Sequence, residues 1–448
     1  MAEHSHDRRR FLRGAGALGA AGAAAWAGVG GLTSADAQTA RTTRAADEDP
    51  APKKRRRFAA ADAVQGKVYV GYQGWFAAAG DGSPVNAWTH WAAGTTPSPG
   101  NQTFELYPDT SVYPADSLFR TGYAALGNGS PATLFSSYST AVIDQHFHWM
   151  QQHGIDGAAL QRFGSDVRAV DQPRYRQRND IHGKARDAAQ KYGRGFYVEY
   201  DISGLDDTNL VSTLQKDWTD TIKGSLHLPD SPAYTHEGGK PVVHLWGLGF
   251  TNRPGTVQSS LELVNWFKSQ GAYVIGGVPR GWRTDANAKP GFGPVYAALD
   301  MVSPWNVGNP SVDQQQFDDD MARLRANGQA YQPVIYPGFA WSNWKEGSPR
   351  NEIPRRAGDF MWQQAVAVAR CGTRSAFVAM FDEYDEATAI APAAADRSMI
   401  PGDQYFLTLD ADGTSVSSDF YLRLAGAATK MINGSTGITP TVPIPPQV

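Results

Sequence analysis

Between Lys67 and Asn433 the chain keeps returning to one pattern, a short and almost continuously apolar run followed in most cases by a stretch with helical spacing. The eight runs are KVYVGYQGWF, GIDGAALQRF, GRGFYVEYDISG, KPVVHLWGLGF, GAYVIGGVPRGW, ALDMVSPWNVG, YQPVIYPGFAWSNW and RSAFVAMFDEYDE. Runs of this kind suit parallel strands buried on both faces, which need no polar alternation. Among the intervening stretches, STAVIDQHFHWMQQHG, DIHGKARDAAQKYG and SVDQQQFDDDMARLRANG each end on a glycine stop. TVQSSLELVNWFKSQG, RRAGDFMWQQAVAVARCG, the segment from Leu205 to Leu228 and SSDFYLRLAGAATKMIN supply the others. Strand and helix alternating eight times predict an α/β fold of the (β/α)8 TIM-barrel type rather than a doubly wound sheet. Phe76 to Ser139 then forms an elaborated first loop.

The expected organisation is a signal peptide over 1–37, a polar linker over 38–66, one barrel domain over 67–433 and a Pro-rich, extended tail over 434–448. Arg8 and Arg9 open a segment resembling a twin-arginine export signal, and SADAQ offers a cleavage site after Ala37. The Ala/Gly stretch between them lacks the ~20 strongly apolar residues of an anchor. A secreted or cell-envelope location is therefore expected, with no membrane association after cleavage. KKRRR at 53–57 reads as part of a solvated tether. The net charge of −3 gives no sign of a nucleic-acid partner. No Walker or Rossmann glycine fingerprint occurs, so no nucleotide and no other cofactor is expected. The single cysteine, Cys371, forbids an intrachain disulfide, and its place at a helix end suggests a small buried thiol rather than a nucleophile.

In a barrel of this kind, function belongs at the C-terminal ends of the strands. Those ends carry Tyr72, Gln73 and Trp75; Arg162; Glu199 and Asp201; His244 and Trp246; Arg280 and Trp282; Trp305 and Asn306; and Tyr336 and Trp341. Aromatic faces stack on pyranose rings while amides, carboxylates and guanidinium groups bond hydroxyls, so a carbohydrate is the expected partner. The eighth run ends in four carboxylates, Asp382, Glu383, Asp385 and Glu386. Glycosidic cleavage needs an acid to protonate the leaving oxygen and a second carboxylate as base or nucleophile. If the chain turns at Tyr384, Glu383 and Glu386 share one side of the turn, roughly 5–6 Å apart at Cβ. Their repulsion would keep one protonated beside an ionised partner. An acidic cap on the following helix, or ion pairing with nearby arginines, is the structural alternative.

The stretch Glu383-Tyr384-Asp385-Glu386-Ala387-Thr388, placed after an apolar last strand, resembles the Glu-x-x-Glu-x-Thr motif of glycoside hydrolase family 99. The related family 71, α-1,3-glucanases, has Asp-x-x-Glu there. YVGYQGWF is similar to the aromatic first strand of these families, and LQRF, HLWGLGF and PGFAWSNW extend the likeness along the barrel. The resemblance implies a glycoside hydrolase with Glu383 as base, acting on the sugar's own 2-hydroxyl, and Glu386 as general acid. Apart from that resemblance, Asp382 and Asp385 are expected to contact the substrate or to support the pair that does. Tyr384, Asp385 and Ala387 stand where family 99 usually has Trp, His and Gly. Two other readings stay open at this level. One is a carbohydrate-binding barrel without catalysis. The other is a metal-dependent hydrolase, for which His146 and His148 have ligand-like spacing but sit in a stretch expected to be helix surface. DADG, Asp410 to Gly413, reads as a turn rather than a calcium loop.

Overall fold

The computed structural model describes residues 58, 59 and 61–447. The expected signal peptide and most of the expected linker lie outside them. The eight runs form eight parallel strands: β1 Val68–Tyr72, β2 Gly157–Phe163, β3 Gly195–Asp201, β4 Lys240–Trp246, β5 Tyr273–Pro279, β6 Met301–Trp305, β7 in two pieces (Ala330–Tyr331 and Val334–Ile335) and β8 Ala376–Val378. Neighbours pair in chain order from β1 to β6, and β8 pairs back to β1. The split seventh strand closes the ring. Its first piece pairs with β6 and its second with β8. At the break Pro333 has no N–H to give, yet its carbonyl accepts from Phe377 N at 2.9 Å, and Gln332 N reaches Val302 O at 3.0 Å. The result is the predicted TIM-barrel-like α/β fold.

Among the described residues, eight α-helices of six residues or more surround the strands: α1 Thr140–His153, α2 Pro173–Tyr192, α3 Leu210–Lys216, α4 Val257–Ser269, α5 Gly293–Ala298, α6 Gln314–Ala326, α7 Asp359–Cys371 and α8 Phe420–Ile432. The glycine stops behave as expected: α1, α2 and α7 end on Gly154, Gly193 and Gly372, all left-handed. Thr256 and Ser259 form a reciprocal cap at the start of α4. Two helices differ from the expectation. α2 begins about two turns early because Pro173, with its preset φ and missing N–H, is suited to a first turn. α5 has only six residues, too few to show a period. α3 runs on as a wider coil over Asp217–Ser225, with Asp217 and Trp218 buried.

Aromatic rings fill the lumen below the C-terminal opening. Tyr69 packs on Tyr197 at 4.9 Å, Tyr197 lies 6.3 Å from His244, and Phe377 is 5.8 Å from His244 and 6.4 Å from Trp305. Gly71 makes room for this layer. A Cβ there would meet Met380 Cε at 2.2 Å and Phe377 Cζ at 2.8 Å. The first loop occupies 76–139 as expected and contains an antiparallel pair, Leu118–Arg120 with Thr133–Phe135. It locks onto the loop after β8 through Glu105 N and Leu106 N, both donating to Tyr384 O.

Residues 61–66, at the end of the expected linker, lie against the barrel. Ala61 and Val64 are fully buried and Val64 N donates to Glu237 Oε2 at 2.9 Å. The Pro-rich tail has no regular structure and runs over α7 and α8. Trp362 Nε1 donates to Thr439 O at 3.0 Å and Arg423 Nη1 to Pro445 O at 2.9 Å. Among the described residues no helix is long and apolar enough to cross a membrane.

Candidate active site

The chain leaves β8 at Val378 and doubles back on itself. Met380 N donates to Thr388 O, while Ile390 N and Ala391 N return to Met380 O and Phe381 O. The turn falls at Tyr384–Ala387, the place supposed for pairing Glu383 with Glu386, and Ala387 takes φ +53° to complete it. Arg355 fastens the return limb by donating from Nη2 to Ala387 O and Ala389 O, each at 2.8 Å. All four carboxylates of this loop are buried, from 0% exposure at Asp382 to 6% at Glu386.

Their partners differ. Asp382 accepts two backbone N–H groups from the end of β1, Gln73 N at 2.7 Å and Gly74 N at 2.9 Å. Burial pushes its carboxyl up to about 6, against the lowering effect of those two donors and of Arg178. Glu383 Oε2 accepts from the Gln73 side-chain amide at 2.5 Å. Asp385 Oδ2 lies 2.7 Å from Nδ1 of His90, a residue of the first loop. Glu386 is held through its backbone, its carbonyl accepting from Ala340 N at 3.1 Å. A fifth acid, Glu105, joins the first loop to the chain after β7. It accepts from Ser342 Oγ and Asn343 N, both at 2.7 Å, and burial raises its pKa.

Deeper in the barrel, Gln161 Nε2 donates to Glu199 Oε1 at 3.1 Å, and His244 Nδ1 lies 3.5 Å from Glu199 Oε2. Gln73 Oε1, Gln161 Oε1 and His244 Nε2 are among the buried atoms of this region without a hydrogen-bond partner. They leave capacity to bond hydroxyls. On the β4–β6 side Trp246 meets Trp305 edge-on at 5.2 Å and Phe250 at 4.9 Å, with the Arg253 guanidinium 5.2 Å above its ring. Asp201 closes β3 and accepts from Ser203 N at 2.8 Å.

The geometry thus gathers Gln73, Trp75, Glu199, Asp201, His244, Trp246, Trp305 and the four acids at strand ends or lumen positions. Other expected site residues are engaged elsewhere. Tyr72 points outward to α1, its hydroxyl 3.0 Å from His146 Nδ1. Arg162 also faces outward and is sealed in a two-point ion pair with Asp217, each contact at 2.6 Å. Arg280 sits at the rim, 3.6 Å from Asp313. Trp282 Nε1 donates to Asp320 on α6, and Asn306 Nδ2 to Gln364 on α7. Tyr336 donates to Asn309 O, and Trp341 is buried with its Nε1 on Glu352. Trp75 lies between two other rings, stacked on His90 at 3.8 Å and on Phe163 at 5.3 Å, and so is a wall more than a free platform.

His146 corrects the expectation of helix surface. It is fully buried, between Tyr72 and Tyr113 hydroxyls, and burial lowers its pKa to about 3. Cys371 lies at the end of α7 with its thiol pushed up to about 11 by burial. Asp410 to Gly413 forms a turn closed by Gly413 N on Asp410 O. Among the described residues no group of three or more His, Cys, Asp or Glu could hold a metal ion. Sequence reasoning missed His90, Glu105, Phe163, Arg178 and Arg355. For His90 there was a signal, its setting in WTHW inside an enlarged first loop.

No protein-family model matches the chain, and neither does any curated protein. Solved structures do. The family 99 endo-alpha-mannosidase from Bacteroides thetaiotaomicron, in complex with bis-tris-propane, superposes with a TM-score of 0.60 at 14% identity, covering 83% of this chain and 98% of that one. A second structure of that family 99 enzyme gives 0.60 at 13% identity, covering 83% and 100%. At such identity the likeness establishes the barrel fold, over nearly the whole length of the other protein.

Proposed function

We propose that the protein is a glycoside hydrolase in which Glu383 is the base and Glu386 the general acid. The observation that carries this reading is the loop after β8. It presents both glutamates at the C-terminal end of the barrel, buried, with Glu383 oriented by the Gln73 amide at 2.5 Å. The barrel shared with a family 99 endo-alpha-mannosidase supports it. In the proposed reaction Glu383 takes the proton of the attacking hydroxyl, either the sugar's own 2-hydroxyl or water. That oxygen bonds to the anomeric carbon as the glycosidic C–O bond breaks, and Glu386 delivers its proton to the departing oxygen. Trp246 and Trp305 offer ring faces and edges for a pyranose, while Gln161, Glu199 and His244 offer hydrogen bonds. The substrate class proposed is an α-mannan, α-glucan, xylan or arabinan. The same proposal places the enzyme outside the cytoplasm, on the Arg8-Arg9 segment, and export lost on Arg8→Lys/Arg9→Lys substitution is its test.

Product analysis against that panel tests the reading. Wild type should release defined oligosaccharides, and Glu383→Gln or Glu386→Gln should reduce turnover at least ~100-fold, at the lower end of what a positioned acid or base supplies. Undiminished hydrolysis by either variant would overturn the assignment. Binding without turnover by wild type would favour a non-catalytic carbohydrate-binding barrel.

A further inference from the structure

The two residues after β1, Gln73 and Gly74, have their backbone groups taken by side chains. Asp382 accepts both N–H groups, at 2.7 and 2.9 Å. On the other side Arg178, from α2, donates through Nη1 to both carbonyls, at 2.5 Å to Gln73 O and 3.3 Å to Gly74 O. Arg178 is itself buried and is held by Asp166, 3.4 Å from its Nη2. Gly74 is at φ +55°, and a Cβ there would come within 3.0 Å of Ile181 and 3.1 Å of Tyr72. The segment is therefore fixed from two sides in a conformation that favours glycine. What projects from it is the Gln73 amide, which meets Glu383.

We propose that Asp382 and Arg178 are positioning residues, a clamp that grips the Gln73–Gly74 backbone from opposite sides and so sets the Gln73 amide against Glu383. The proposal rests on the reading of Glu383 as base, and it gives Asp382 a role other than substrate contact. Two N–H groups need two acceptor oxygens, which an ionised Asp382 provides and an asparagine does not. The groups around Asp382 are Arg178 on α2, Tyr72 on β1, Tyr113 in the first loop and Tyr384 in its own loop, with Asp166 and His182 next to Arg178. Burial keeps the tyrosines neutral at working pH and holds His182 far below its usual value. Arg178 is thus the cation of this set at neutral pH, and Asp382 the acid that titrates near 6.

The test uses the full chain labelled with 15N-glutamine, with the Gln73 side-chain NH2 signal identified by its absence in Gln73→Ala. In wild type that signal should move between pH 5 and 7 as Asp382 titrates at about 6. Asp382→Asn should remove that inflection and shift the signal toward an ordinary amide position. Arg178→Lys, which keeps the charge, should cause a smaller shift in the same direction. On a glycan turned over by wild type, Asp382→Asn should lower kcat about 10- to 100-fold with KM little changed, as expected for a misplaced base. A Gln73 signal indifferent to both substitutions would overturn the clamp, even in an active enzyme. Shifted signals in a protein that cleaves no glycan would uphold the clamp and remove the hydrolase reading.

Discussion

Replacing Arg162 by Met should destabilise the protein without altering its affinity for a glycan. Arg162 and Asp217 have side-chain exposures of 0% and 2%, and their two contacts of 2.6 Å are joined by Tyr200 OH at 2.8 Å and Asn179 at 2.8 Å. Breaking such a pair from one side leaves Asp217 charged and buried, at a cost of ~3–5 kcal/mol. At ~2.1 cal/mol/K per residue, a barrel of ~390 residues unfolds with an entropy near 0.8 kcal/mol/K, so Tm should fall by ~4–6 °C. Removing the second charge as well, in Arg162→Met/Asp217→Leu, should recover part of that loss, because the cost lies in the orphaned carboxylate. Differential scanning calorimetry on the three proteins measures both steps. An unchanged Tm in Arg162→Met, together with a raised KM, would show that Arg162 serves the substrate rather than Asp217.

Asp382 gives a pH dependence of definite sign. Its folded pKa of about 6 stands above the ordinary 3.8, so the ionised form is the costly one. Its contribution to stability is fully present below pH 4 and is lost as pH rises through 6. Asp382→Asn should therefore gain in Tm relative to wild type between pH 4.5 and 7.5, and a constant difference would contradict the shift. Trp305→Ala should raise KM by ~2–10-fold, the worth of one ring contact, whereas Trp75→Ala, with both neighbours stacked, should chiefly lower Tm. Equal KM effects from the two would contradict the division of wall and platform. Cys371 should react slowly with thiol reagents at pH 8, given a thiol raised to about 11, and Cys371→Ser should retain full activity.

The strands were legible because each is buried on both faces and so reads as an apolar run, and β8 was legible together with its acidic turn. Strand seven hid its break, since Pro333 interrupts a strand whose closure depends on two different neighbours. At the strand ends, sequence reasoning identified the neighbourhood but did not separate inward from outward positions. Gln161 and Arg162 are adjacent, yet one bonds Glu199 in the lumen and the other Asp217 outside. Tyr72 and Gln73 divide in the same way. The period of two contains this information once a single inward residue is known. Glu199 in the lumen implies Asp201 inward and Tyr200 outward, and Tyr200 does reach Asp217. Arg178 and Arg355 were illegible for another reason. They come to the acidic loop from distant segments, and only the closed barrel brings them there.

Glu383 and Glu386 are proposed to break a glycosidic bond together. Product release by the wild type, Glu383→Gln and Glu386→Gln proteins, measured on one cleaved glycan and on its analogue with a pre-activated aryl leaving group, tests it most directly. Glu386→Gln should lose turnover of the glycan but regain much of it on the activated analogue, which needs no proton on departure, while Glu383→Gln should stay inactive on both. Equal activity of all three proteins on the glycan would contradict it.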